Sequence, residues 1–300
     1  MGIGGSCCFI PIVSTIPRWF TKKRGIAIGI TVAGFGLGGI ISPPLAQWLI
    51  STYDWRQSYL ILGLIAFIVV IPLAQFMKHS PQRVGLKPYG EDETVKDEQP
   101  LVTGGLSLTQ AIKTSRFWIF GSMLFLFFFS EGAIIVHITP HAINIGILAI
   151  IAASVMSIIA GGSVIGRLSM GFMSDKVGGR LVLIACLTSA TLALVWLLFA
   201  REVWMLYVFT VIFGIGYGGI VALQTVISAE LFGLKFLGII LATLMLFATV
   251  GIALGSLLTG SIFDITGSYS LAFLICVIIC ALAIILSLIL LKAKSWRGGD

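Results

Sequence analysis

Nine stretches of mostly apolar residues follow one another along this chain, and they limit its fold more than any other feature. A helix rises about 1.5 Å per residue, so about 20 residues cross the hydrocarbon core of a bilayer. Backbone groups must be paired in lipid, which leaves helices or closed barrels, and these runs are too long and continuous for barrel strands. The predicted spanning helices cover residues 2–20, 25–50, 56–77, 117–139, 145–173, 181–199, 204–228, 237–263 and 269–291.

Composition excludes several other classes of protein. Charged residues make up 10% and hydrophobic residues 58% of the 300 residues, whereas a soluble domain carries about 25% charged residues. A soluble enzyme, a disordered protein and a coiled coil are therefore excluded. No enzyme signature is present, so neither enzymatic activity nor a cofactor is expected. The five cysteines lie in apolar stretches without CxxC spacing, which predicts packing residues rather than a metal site.

The basic residues predict an orientation in the membrane. If the helices alternate and residues 18–24 lie inside, only Arg56 and Arg201 of the 19 basic residues fall outside. Cytoplasmic loops carry an excess of Lys and Arg, so we expect a cytoplasmic C-terminus and an outer N-terminus in a bacterial-type cytoplasmic membrane. The same rule accounts for the net charge of +7, and nucleic-acid binding is not expected.

The one sizeable polar stretch, residues 78–116, divides the chain. Its prolines, its glycines and the acidic residues 91–93 are typical of a cytoplasmic linker. The predicted organisation is a partial N-terminal bundle of three helices (1–77), the linker (78–116), a C-terminal bundle of six helices (117–291) and a cytoplasmic tail (292–300). Ser107 is predicted to cap a short helix over 108–115.

The first three spans of the chain resemble the last three at a nearly constant offset in sequence. Trp19–Phe20 matches Leu231–Phe232, and, after a shift by one position, Gly25–Ile26 matches Gly238–Ile239. This order predicts that spans 1–3 repeat spans 7–9 in a parallel sense. Two parallel six-helix halves are a transporter architecture, and the first three helices of such a protein would be absent here, as in a truncated chain. The alternative is convergence of Gly-rich helices.

The loop between spans 5 and 6 carries the most specific motif. Residues 171–180 read Gly-Phe-Met-Ser-Asp-Lys-Val-Gly-Gly-Arg and resemble the loop signature G-x-x-x-D-[RK]-x-G-[RK] of the major facilitator superfamily. Residues 18–29, 55–56 and 230–233 resemble its monocarboxylate and oxalate/formate branch. The resemblance implies an all-α integral membrane fold, with nine helices that correspond to helices 4–12 of a twelve-helix bundle, and transport by alternating access.

The resemblance also implies a gating role for the motif. The residues concerned are Gly171, Asp175, Lys176, Gly179 and Arg180. Asp175 would pair with a base or with a neighbouring helix N-terminus, and Lys176 and Arg180 would bridge to the partner bundle. The alternative is that these charges only set the topology.

Arg167 is the deepest basic residue. It precedes Asp175 by eight residues, which places it about 12 Å from the inner end, where arginine costs several kcal/mol without a cavity or partner. A guanidinium there can bind a carboxylate bidentately, and an arginine in helix 8 of the monocarboxylate branch resembles it. Snorkelling to the inner surface is the alternative. Since Ser163 replaces the branch's frequent aspartate and residues 237–263 contain no lysine, a monoanion is favoured over oxalate.

Glu131 is the other deep charge, predicted within about 6 Å of the depth of Arg167. We interpret it as a proton carrier or as the resting partner of Arg167, with a purely structural role as the alternative. Tyr217 and Gln224 are candidates for lining the same cavity, and for Tyr217 a role in packing is the alternative.

His137 and His141 stand near the outer mouth and are further candidates for proton coupling. With no third ligand in view, a zinc site is not expected.

These residues together predict a secondary carrier of a small organic anion, in the first place a monocarboxylate. The expected partners are the bilayer, the anion, and either protons or a counter-anion. Two alternatives stay open: a truncated non-transporting remnant or membrane interaction subunit, and a carrier of a neutral or cationic solute. The sequence does not distinguish symport from antiport, and it leaves the oligomeric state open.

Overall fold

The computed structural model describes residues 2–78, 80–90 and 104–291, and these residues are almost entirely helical. The ten α-helices formed by these residues are α1 (Gly2–Trp19), α2 (Arg24–Thr52), α3 (Trp55–Phe76), α4 (Leu108–Ile112), α5 (Ser115–Asn144), α6 (Ala149–Val177), α7 (Gly179–Phe199), α8 (Val203–Phe232), α9 (Leu237–Thr266) and α10 (Ser270–Leu291). The nine long helices follow the nine predicted spans in order, with ends that differ by at most five residues. The predicted all-α membrane fold is confirmed.

Eight of the helices in the described part of the chain are long and apolar enough to cross a membrane, namely α2, α3 and α5 to α10. The ninth predicted span is α1, which has 18 residues with Pro11 and Pro17 inside it. That length is at the lower limit of what a bilayer requires.

The six helices α5 to α10 form a bundle whose main contacts pair α5 with α9 and α6 with α8. Glycines bring these helices together, because lipid supplies no hydrophobic force between helices and small residues let backbones approach. A Cβ at Gly251 would lie 2.5 Å from the carbonyl oxygen of Phe125. A Cβ at Gly166 would collide with the carbonyl oxygen of Ile215.

The three helices α1 to α3 form a second, smaller group. In this group α1 packs on α2 and α2 on α3, while α3 buries only Ser58 among its residues. The main contact with the six-helix bundle is made by α2, which lies along α6.

The predicted repeat appears in the helix boundaries. α2 begins at Arg24 and α9 begins at Leu237, and the two helices that precede them end at Trp19 and Phe232. The starts of α2 and α9 are separated by the same number of residues as the ends of α1 and α8. At this loop the boundaries place Trp19 opposite Phe232, next to the predicted match with Leu231, and the starts of α3 and α10 are offset by two residues more.

The two described parts of the linker dock on equivalent loops of the two groups. The carbonyl oxygen of Tyr89 accepts hydrogen bonds from the backbone N–H groups of Thr21 and Lys22. The carbonyl oxygen of Gly104 accepts from Leu234 and Lys235, which correspond to that first pair in the register of the repeat. The acidic residues 91–93 and the tail 292–300 lie outside the described residues.

The short helix after the linker begins as predicted. The Ser107 hydroxyl accepts from the N–H of Gln110, whose side chain accepts from the Ser107 N–H, and this reciprocal capping box starts α4. The helix ends at Ile112, before the predicted residue 115, because the Thr114 hydroxyl accepts from the Phe117 N–H and caps α5.

Candidate functional site

Arg167 lies on α6 at the boundary with α2, and only 5% of its surface is exposed. Its Nη1 donates a hydrogen bond of 3.4 Å to the carbonyl oxygen of Val32 on α2. Its guanidinium carbon lies 5.8 Å from the ring centre of Tyr217 on α8. The side chain is therefore held inside the protein, so the alternative of snorkelling to the surface does not describe this structure.

Tyr217 joins Arg167 to the second deep charge. Its side chain interacts both with the guanidinium and with the carboxyl group of Glu131 on α5. Among the described residues, Glu131 Oε2 and Arg167 Nε have no hydrogen-bond partner. Direct pairing of Glu131 with Arg167, one of the two predicted roles, is not seen among the described contacts; both side chains interact with Tyr217. These three residues are called the central cluster below.

Gln224 is also buried on α8, and its Oε1 lacks a partner in the described part of the chain. Seven residues after Tyr217, it lies about two turns along the same face of the helix. Ser163 occupies the position at which the monocarboxylate branch often has an aspartate. Its hydroxyl donates a hydrogen bond to the carbonyl oxygen of Ala160 in its own helix.

The packing of α2 against α6 changes at the level of Arg167. A Cβ at Gly29 would collide with the carbonyl oxygen of Arg167, so the helix backbones touch there. Gly36 is buried against the guanidinium, whereas a Cβ at Gly39 would meet no atom within 4 Å. Ile40, one turn beyond Gly36, is 43% exposed. The two groups of helices thus touch at Gly29 and at Gly36, whereas Gly39 and Ile40 of α2 are exposed.

The start of α2 is fixed by Asp175, which caps that helix across the boundary. Asp175 Oδ1 accepts from the N–H of Gly25 at 2.7 Å, and Oδ2 accepts from the N–H of Ile26 at 2.9 Å. The N-terminus of a helix attracts negative charge because its first N–H groups are unpaired and its dipole is positive there. Gly171 is needed at this point, since a Cβ on it would lie 2.6 Å from the carbonyl oxygen of Gly25.

The basic residues of the motif make contacts with residues of their own bundle. Lys176 Nζ lies 4.3 Å from the ring centre of Phe172 in its own helix. Arg180 Nε lies 3.7 Å from Glu230 Oε2, and its Nη1 reaches the carbonyl oxygen of Leu290. These contacts lie within the six-helix bundle. The bridge from Lys176 and Arg180 to the partner group stays a prediction.

Two arginines that the motif did not include make such a bridge. Arg18 Nη2 donates to the carbonyl oxygen of Leu234 at 3.0 Å. Arg24 interacts electrostatically with Glu230 and Asp175. Sequence analysis used both arginines for the membrane orientation and for the family resemblance, but it gave neither a role in contacts between the two groups of helices. Asp175, Arg24, Glu230 and Arg180 are called the end cluster below.

The turn of the motif depends on Gly178 rather than on Gly179. Gly178 has φ +94°, a backbone conformation that side chains with a Cβ rarely adopt. Gly179 begins α7, and a Cβ on it would lie 3.3 Å from Glu230 Oε1.

The two histidines lie away from the central cluster. His141 follows Glu131 by ten residues, which is about 15 Å along α5. It is 6% exposed, stands edge-on to Tyr269 and Phe273, and neither ring nitrogen has a hydrogen-bond partner in the described part of the chain. His137 Nε2 lies 2.9 Å from the carbonyl oxygen of Ser256.

The described residues contain no group of three or more His, Cys, Asp or Glu side chains that would hold a metal ion. Cys186, Cys276 and Cys280 are buried and free of disulfide bonds. The side chains of Cys7 and Cys8 lie outside the described part.

Comparison with known proteins finds one matching family model and several similar transporters. The model of the family described as Major Facilitator Superfamily matches residues 1–171 and 123–297. The MFS-type transporter opdF of Penicillium oxalicum is 30% identical over 256 residues, which cover 83% of this chain and 56% of that protein. Monocarboxylate transporter 12 of Homo sapiens is 24% identical over 297 residues, which cover 92% of this chain and 58% of that protein.

Among solved structures, FucP, a Major Facilitator Superfamily transporter in the outward conformation, superposes with a TM-score of 0.70 at 16% identity. The match covers 97% of this chain and 74% of that chain. The chain thus spans somewhat more than half the length of the two curated relatives named above.

Proposed function

We propose, because this chain belongs to the Major Facilitator Superfamily, that it takes part in carrying a small organic anion, in the first place a monocarboxylate, across a membrane by alternating access. Monocarboxylate transporters are among its relatives. Coupling is to protons or to a counter-anion.

The observation that supports an anion is the state of the buried guanidinium. The contacts of Arg167 are the Val32 carbonyl and Tyr217, and no carboxylate among the described residues pairs with it. Burying an unpaired charge in a membrane protein is costly. A bound carboxylate would neutralise the guanidinium and accept two of its hydrogen bonds, whereas a cationic solute would be repelled.

The central cluster supports coupling to a proton. Tyr217 interacts with both the carboxyl group of Glu131 and the guanidinium of Arg167. A charge that binds at Arg167 therefore changes the electrostatic field at Glu131. In this proposal the proton on Glu131 crosses with the anion. The histidines are less suited, since His141 is enclosed by aromatic rings about 15 Å away along α5.

The end cluster supports the gating role. Positive charges concentrate at this end, which we take to be cytoplasmic. Asp175 then closes the cytoplasmic side by capping α2, and the anion reaches Arg167 from the opposite side, where α2 becomes exposed. Opening requires the N-terminus of α2 to leave Asp175, while Lys176, Gly179 and Arg180 hold the motif within its own bundle.

The test is uptake into liposomes by the reconstituted 300-residue chain, with short monocarboxylates, dicarboxylates and the matching neutral amides as solutes. Removing one partner of a buried charged contact costs about 3–5 kcal/mol, so Arg167→Gln is expected to lower monocarboxylate uptake by about a hundredfold or more. Arg167→Lys should recover only part of it, because an ammonium lacks the bidentate geometry.

Arg56→Gln is the matched control, since Arg56 is an exposed arginine that stacks on Trp55. Uptake of amides and monocarboxylates at equal rates, or undiminished uptake by Arg167→Gln, would contradict an anion carrier and favour a neutral solute. A complete absence of uptake by the parent chain, when a longer form of the protein does transport, would favour the non-transporting alternative.

A further inference from the structure

The guanidinium of Arg167 is held by groups from the opposite set of helices. Its Nη1 donates to the Val32 carbonyl oxygen, and a Cβ at Gly36 would lie 2.6 Å from the same nitrogen. Val32 is fully buried and Gly36 is buried four residues later, so both lie on one face of α2. The residue on which the proposed anion site depends is thus positioned from outside its own bundle.

Glycine is required at position 36 by space rather than by backbone conformation. A Cβ there would also lie 2.5 Å from Val164 Cγ2, so any larger residue displaces both the guanidinium and the Val164 side chain. The neighbouring Gly39 faces open space. The absence of a side chain therefore matters at one position of this glycine-rich stretch and not at the other.

Resting on the proposed function, we infer that α2 forms the second wall of the anion site, with Gly36 and the Val32 carbonyl as positioning groups for Arg167. Because α2 and α6 belong to opposite groups of helices, this wall is present only while the two helices touch. When they separate, the guanidinium loses the Val32 carbonyl and the restriction at Gly36. The geometry and the affinity of the anion site therefore differ between the two access states.

The test compares Gly36→Ala with Gly39→Ala and uses the reactivity of Arg167, so it does not depend on transport. Purified protein is treated with phenylglyoxal, which modifies accessible guanidinium groups, and modification of Arg167 is followed by peptide mass spectrometry. In the parent, burial should make this reaction slow. Gly36→Ala should accelerate it by about tenfold, the change expected when one hydrogen bond of a charged group is lost. Gly39→Ala should leave the rate unchanged.

A double variant separates displacement of the guanidinium from helix packing. Val164→Ala added to Gly36→Ala removes the contact with Val164 but leaves the one with Arg167, so the fast reaction should persist. A return to the parent rate, or an unchanged rate in Gly36→Ala, would overturn the inference. The uptake result for Arg167→Gln stands independently of either outcome.

If Gly36→Ala does not fold, Asp175→Asn serves in its place, because it loosens the start of α2 without touching position 36. Faster modification of Arg167 in this variant supports the inference. An unchanged rate, when amide exchange shows that the start of α2 has opened, overturns it. Acetate, as the probe anion, should slow modification of Arg167 if the anion binds there, and its failure to do so in the parent would count against the proposed function alone.

Discussion

Arg167 of the central cluster and Asp175 of the end cluster both lie where α2 meets the six-helix bundle, yet the two clusters satisfy their charges in opposite ways. In the end cluster both carboxylate oxygens of Asp175 accept backbone N–H groups, and Arg180 pairs with Glu230. In the central cluster Arg167 Nε and Glu131 Oε2 have no partner among the described residues.

This difference indicates different roles for the two clusters. A buried polar group without a partner costs about 1–3 kcal/mol, so fully paired groups stabilise one arrangement, whereas incompletely paired groups favour a ligand or a proton. We therefore expect substitutions in the end cluster to change the conformational equilibrium, and substitutions in the central cluster to change binding and coupling.

The largest effect predicted from this comparison concerns Asp175→Asn. Asparagine keeps one acceptor oxygen but loses the charge and directs an NH2 group at an N–H of α2. Loss of a charge-assisted hydrogen bond costs about 1.5–3 kcal/mol, so amide hydrogen exchange in the first turn of α2 should rise by about tenfold or more. Mass spectrometry of the peptide that contains Gly25 and Ile26 measures this exchange.

Asp264→Asn is the control for this variant, since Asp264 is an exposed acidic residue near the C-terminal end of α9. Exchange in α2 that is equal in the parent and in Asp175→Asn would show that the end cluster does not hold the helices closed.

A smaller effect is predicted for Glu131→Gln, which keeps the shape of the side chain but cannot titrate. If a proton on Glu131 accompanies the anion, uptake by the parent rises as the pH on the entry side falls. The variant should lose this pH dependence while its uptake at the favourable pH stays within a few-fold of the parent, because Arg167 is intact. Initial rates of uptake across a range of external pH measure both quantities.

Glu202→Gln provides the matched control. Glu202 is exposed, accepts a hydrogen bond from the indole N–H of Trp204, and lies near the end of the molecule opposite the end cluster. A pH profile in Glu131→Gln that coincides with the parent profile would show that the coupling proton is carried elsewhere.

The sequence predicted the helices and the repeat because both depend on local patterns. Apolar runs of about 20 residues define spans in lipid, and glycine positions define the repeat. It also predicted that Arg167 and Glu131 lie at similar depth, since depth follows from counting residues along a helix. The meeting of both side chains at Tyr217 agrees with that count.

What the sequence did not predict is the direction in which side chains point and their partners on distant helices. Depth does not give the rotation of a helix, so the sequence did not predict that Lys176 lies over the ring of Phe172 or that Arg180 reaches the Leu290 carbonyl. The contact of Arg18 with the Leu234 carbonyl joins residues 216 positions apart through the backbone, which leaves no pattern in residue type. The contact of Gly36 with Arg167 could not be predicted either, because the sequence does not distinguish Gly36 from neighbouring glycines such as Gly39.

The smallest effect is predicted for His141, which tests whether an unpaired buried group always marks function. Its ring nitrogens lack partners among the described residues, as atoms of the central cluster do, but Tyr269 and Phe273 enclose it and Arg201 acts on it electrostatically. Phenylalanine fits such an aromatic environment and removes the unpaired nitrogens, so His141→Phe should keep thermal stability or raise it by about 1 kcal/mol. Uptake should stay within about twofold of the parent, with the same pH profile. A flattened pH profile in this variant, together with an unchanged one in Glu131→Gln, would move the coupling proton from the central cluster to the histidine, since only one of the two incompletely paired sites would then respond to pH.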